Sequence, residues 1–172
     1  MKGEKKQYRG WSLLKNLYIN NSTVDYSGCG AVSLYNTIKI LDPNTEITFP
    51  QVIYWMEPYG VLNNSLGALP TEPGDILEKL GYEVTYSCSH DPAEIAQKAS
   101  QADAAISYYM TPEYFHFVAF QSAPPDPDSG QLRFEFYNEQ NEQGDIVIPI
   151  WAIWSMKLNI QQGISLIRTG IG

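Results

Sequence analysis

Cysteine and histidine are scarce in this chain of 172 residues, with two of each. Cys29 and Cys88 could form one disulfide, but 59 residues separate them and no dense cysteine framework surrounds them. Two cysteines without close-spaced partners do not make a zinc site, and neither His90 nor His116 completes one; no metal or cofactor is expected. Positive charge is also sparse: 11 basic side chains face 19 acidic ones, a formal net charge of −8. Displacing counterions from phosphates needs a basic face, so a nucleic-acid partner is disfavoured. The one dense basic group, Lys2, Lys5, Lys6 and Arg9, sits at a terminus, where a solubilising tail is the commoner role. No apolar run approaches the roughly 18 residues that span a bilayer, and the start lacks a basic, apolar, small-residue leader pattern. A cytoplasmic protein is the expectation.

What is present is apolar and aromatic: hydrophobic residues make up 44% and aromatic residues 13%, enough for a packed core. There is no internal repeat or long linker, and a single domain over 1–172 is expected, with 1–20 an irregular leading segment. From Ser27 the pattern becomes helical. Ala31, Val32, Leu34, Tyr35, Ile38 and Leu41 recur at spacings of three and four, and Asp42-Pro43-Asn44 stops the run. A short helix is predicted over 49–56, another over 71–80 with Thr71 as cap and Gly81 as left-handed stop, and a third from Asp91-Pro92 to about Ser100. Strands are predicted over 82–88, 104–109, 114–121, 132–137, 146–150 and 164–168, with a helix around 150–156. The proline-rich stretch 121–131 reads as a long turn. Helices lead and strands follow, which indicates an α+β domain with an antiparallel sheet.

Cys29 falls in the first turn of the first predicted helix. A thiol of pKa about 8.5 attacks only as thiolate, and a helix start lowers that pKa through unpaired N–H groups and the macrodipole. Gly28 and Gly30 read as clearing the approach of a substrate carbonyl to the sulfur. A packed, inert cysteine is the competing reading. His116 lies in the strongly β segment Tyr114-Phe115-His116-Phe117-Val118-Ala119-Phe120, where alternation groups it with Val118 and Phe120. A polar ring in so apolar a strand needs a partner or a role, either a backbone-bonded buried histidine or a general base. His90 reads as a loop residue. Asn138 ends the next strand, and a hairpin would carry it toward His116, where an amide could hold the imidazole tautomer.

These residues together resemble the papain-like cysteine peptidase superfamily, in particular the group similar to peptidases that remove double-glycine leaders from bacteriocin precursors. The resemblance rests on Tyr26-Ser27-Gly28-Cys29-Gly30-Ala31-Val32, Gly74 to Tyr82, His116-Phe117-Val118-Ala119-Phe120 and Tyr137-Asn138, in the family's order. It implies a helix-borne nucleophile packed on a C-terminal antiparallel sheet, with Cys29 as nucleophile, His116 as base and Asn138 as orienter. It also implies a peptide or protein substrate. One departure stands out. The family's glutamine about six residues before the cysteine is replaced by Thr23. Asn21 and Thr23 are the candidate oxyanion donors, Asn21 the better because an amide N–H gives reach and donation together. The expected activity is hydrolysis of a peptide or related amide through an acyl-enzyme. The alternatives are acyl transfer or deamidation, and an inactive relative that binds a peptide or partner protein.

Overall fold

The computed structural model describes residues 14, 16–19, 22–59, 68–87, 89, 91–110, 115–137, 146–149 and 162–168. The predicted helix around 150–156, and Cys88 and His90, lie outside them.

The first strands among the described residues are two very short ones, β1 (Tyr18–Ile19) and β2 (Ser22–Thr23), paired antiparallel, followed by a one-turn helix, α1 (Val24–Ser27). The sequence reading expected only irregular structure there. Elements of two to four residues are too short to show a hydrophobic period, so nothing in the pattern marks them. The long helix α2 (Cys29–Leu41) follows, then α3 (Phe49–Met56), a 3₁₀ turn (Glu57–Tyr59) and α4 (Glu72–Lys79).

The caps explain where these helices stand. Asp42 N–H bonds the Ile38 carbonyl at 2.8 Å, and Pro43 allows no further turn. Thr48 and Gln51 form a reciprocal capping box at the start of α3, with the Thr48 N–H donating to Gln51 Oε1 at 2.8 Å. Thr71 departs from expectation: its backbone is already helical and its side chain makes no capping bond. Gly81 has φ of +92°, the left-handed stop that a residue without Cβ adopts at least cost.

Helix α5 (Pro92–Ser100) begins as read, with Asp91 Oδ1 accepting from Ala93 N–H at 2.9 Å. The main sheet comprises β3 (Glu83–Ser87), β4 (Ala104–Met110), β5 (Phe115–Ala123), β6 (Arg133–Tyr137), β7 (Ile146–Pro149) and β8 (Gln162–Arg168). Its strand order is β3-β8-β4-β5-β6-β7 and every neighbouring pair is antiparallel. The β5–β6 hairpin pairs Ala119 with Tyr137 and Ala123 with Arg133. Its proline-rich turn is closed by Asp126, whose Oδ1 accepts from Ser129 N–H at 2.9 Å, with Gly130 at φ +67°.

Alternation along the strands divides the core in two. Phe117 and Ile106 join Leu34, Ile38, Val52, Met56 and Leu77 on the side of α2, α3 and α4. Phe120, Phe134 and Ala105 join Ile95, Ala96 and Ala99 of α5 on the other. The architecture is thus mixed helix and antiparallel sheet, as expected, with one element the pattern did not place: α5 covers the second face. Among the described residues no helix is long and apolar enough to cross a membrane.

Candidate active site at the start of the long helix

Several short-range bonds fix Cys29 as the first residue of α2. Val24 N–H bonds the Leu17 carbonyl at 2.9 Å, and the hydroxyls of Ser22 and Ser27, both buried, lie 2.7 Å apart. Gly28 joins the two helices: its N–H donates to the Val24 carbonyl and its own carbonyl accepts from Val32 N–H, each at 2.9 Å.

The glycines on either side of Cys29 have packing reasons of their own, apart from any clearing of a path to the sulfur. A Cβ at Gly28 would run into the Val24 carbonyl oxygen and come within 2.7 Å of Val24 Cγ1. A Cβ at Gly30 would lie 2.9 Å from Ala68 Cβ, 3.2 Å from Met56 Cε and 3.6 Å from Phe117 Cδ2. Gly30 is therefore the point where α2 meets the turn before α4, the end of α3 and strand β5 at once.

Cys29 is half-buried and carries a thiol rather than half a disulfide. It packs against the α2-side core, as does Tyr108 of β4. The Tyr108 ring lies 4.9 Å from Phe117, centroid to centroid, inclined at 50°. Burial first, and then the charge at Cys29, hold the Tyr108 hydroxyl above the usual tyrosine range. Its proton therefore stays in place across the range in which a thiol ionises.

His116 is the second residue of β5, 3% exposed, paired with Tyr109 in β4. It adjoins Phe117, whose ring packs on the α2 side, so the histidine strand runs beneath α2. The ladder runs unbroken from Met110↔Phe115 to Ala105↔Phe120. Because Phe117 faces α2 and Phe120 faces α5, alternation assigns His116, with Val118 and Phe120, to the α5 side.

Of the other site candidates, Thr23 ends β2 in an extended conformation, makes no capping bond to α1, and is separated from Gly28 by that one helical turn. Asn21 and Asn138 lie outside the described residues.

Two further residues escaped the sequence reading. Tyr108 registered only as part of a strand. Glu72 is 1% exposed, and its Oε2 accepts from Leu69 N–H at 3.1 Å. Burial, opposed by that bond and aided by the charge of Asp75, raises its pKa to about 7. The only signal in the sequence was an acid at a helix start, which ordinarily points to solvent.

A groove of about 550 Å³ beside α3 and α4, lined by Tyr54, Trp55, Ile76 and Leu80 among others, takes in none of Cys29, Tyr108 or His116. Among the described residues no group of three or more His, Cys, Asp or Glu side chains is placed to hold a metal ion. No protein-family model matches the chain, and no curated protein does either.

Proposed function

We propose that the protein is a thiol-dependent hydrolase of papain-like architecture, acting on a peptide or related amide bond. Cys29 is the nucleophile. The observation that carries the reading is its position: a half-buried thiol at the first residue of a long helix, set against the strand pair that bears His116. The helix start favours the thiolate. In the reaction a base takes the thiol proton, the role the resemblance gives to His116 although alternation turns its ring toward the α5 side; the sulfur attacks the carbonyl carbon, and the proton passes to the departing amine. Water then resolves the acyl-enzyme. Asn138 is proposed to hold the imidazole, as the resemblance implies.

The experiment is incubation with a peptide aldehyde or an epoxide directed at thiol peptidases, followed by intact and peptide mass. One adduct at Cys29, lost in Cys29→Ser, is the expected result. No adduct on the folded protein would count against it.

A specific observation favours a second reading. Alternation sets His116 on the face shared with Phe120, and it is nearly fully buried. A relative that keeps the architecture but binds a peptide without cleaving it would show such an arrangement. It would bind peptides unchanged and label no faster than an ordinary thiol.

A further inference from the structure

Among the described residues the main sheet ends in β7 on one side and in β3 on the other. The last residue of β7, Pro149, has no N–H to offer a further strand. β3 carries no such block: its only strand neighbour among the described residues is β8, and Glu83, Thr85 and Tyr86 are exposed. Every second residue of an edge strand turns its N–H and C=O away from the sheet, a template for another strand. Alternation divides the side chains of β3 between the two faces. Glu83, Thr85 and Ser87 point to the α5 side, where Ser87 is buried and Lys98 Nζ of α5 lies 3.3 Å from its hydroxyl. Val84 and Tyr86 point to the α4 side. The Tyr86 hydroxyl donates to Asp75 Oδ1 at 3.1 Å, and a Cβ at Gly74 would run into that hydroxyl, so the ring is held in place while still 40% exposed.

We propose that β3 pairs with β3 of a second copy of this chain, antiparallel about a two-fold axis at Thr85, so that one sheet runs through two chains. This is the symmetric register that pairs every residue of the strand, and its contacts are self-complementary. Thr85 meets its own copy, and Val84 meets the partner's Tyr86, a β-branched side chain against an aromatic ring. Glu83 meets the partner's Ser87 on the α5 side and so comes beside the partner's Lys98, since directly opposed residues share a face. The two-fold axis repeats that ion pair. Each strand thus carries an acid at one end and reaches a cation at the other, which fits the edge to a copy of itself rather than to an unrelated extended peptide. The inference stands apart from the chemistry at Cys29.

The test is sedimentation equilibrium of the full chain across the micromolar range, for wild type, Glu83→Lys, Lys98→Glu and the double exchange, with folding checked by circular dichroism. Wild type is expected to associate into pairs. Each single exchange sets like charges against each other twice and should weaken association about tenfold or more. The double exchange restores opposite charges and should return most of it. A single-chain mass for wild type throughout overturns the inference, whether a segment of the same chain covers the edge or another protein's peptide is its partner. A dimer that neither exchange weakens, or that the double exchange does not restore, overturns it as well. Should Lys98→Glu not fold, Thr85→Lys at the exposed axis position reads the same surface. It should give single chains, and an unchanged dimer overturns the inference.

Discussion

Glu72 holds the Leu69 N–H at 3.1 Å from inside the core, and the turn it fixes brings Ala68 against Gly30, beside Cys29. Among the described residues no salt bridge offsets the burial of this carboxylate; the Asp75 charge adds to the penalty. A single buried acid thus holds the turn that packs against the start of α2.

The folded-state pKa of Glu72, about 7, stands above its unfolded value of 4.5. The folded protein therefore binds the proton more tightly. Its contribution to stability is complete below pH 4.5 and is lost as the pH rises through about 7. Glu72→Gln keeps an acceptor for Leu69 without the charge. In urea unfolding the variant should match wild type near pH 4 and exceed it at pH 8 by up to about 3 kcal/mol. A difference that does not change with pH would show that the burial of this group carries no such penalty.

Gly30→Ala should destabilise by about 1–3 kcal/mol in thermal or urea unfolding, although alanine is the better helix former by about 1 kcal/mol. The added methyl meets Ala68 at 2.9 Å and Met56 at 3.2 Å. Ala68→Gly in the same chain removes the tighter contact and should restore part of the loss. Failure of the second change to restore anything would place the strain elsewhere.

At α5, Asp91→Ala removes the side-chain acceptor for Ala93 N–H. A loss of about 1 kcal/mol is expected. Asp91→Asn, which keeps the oxygen, should retain most of it. Equal losses in the two variants would mean that charge rather than capping stabilises this helix start.

Much of this arrangement was legible in the sequence. Ala31, Leu34, Tyr35, Ile38 and Leu41 set the period of α2, and Asp42-Pro43 its end. The bounds of α3 at Phe49 and Met56 are those read from the sequence. The β5–β6 hairpin followed from two aromatic runs around one proline-rich turn. What could not be read depends on which faces meet. Alternation separates His116 from Phe117, yet only packing shows that Phe117 is the one toward α2. Tyr108 is ordinary as a strand residue and becomes notable only when the pairing sets its ring against Phe117 on the α2 side. The role of Gly30 had the same limit, because the contacts that crowd a Cβ there come from Met56 and Ala68, 26 and 38 positions away. Glu72 was hidden for the opposite reason: its place at a helix start suggested solvent, and tertiary contacts buried it.

The central claim is that His116 activates Cys29. Its most direct test is the rate of Cys29 carboxymethylation from pH 4 to 10 in the wild-type protein and in His116→Gln, with folding checked by circular dichroism. The account predicts wild-type modification well below pH 8 and a histidine variant whose curve returns to that of an ordinary thiol, near 8.5. Superimposable curves for the two proteins would contradict it.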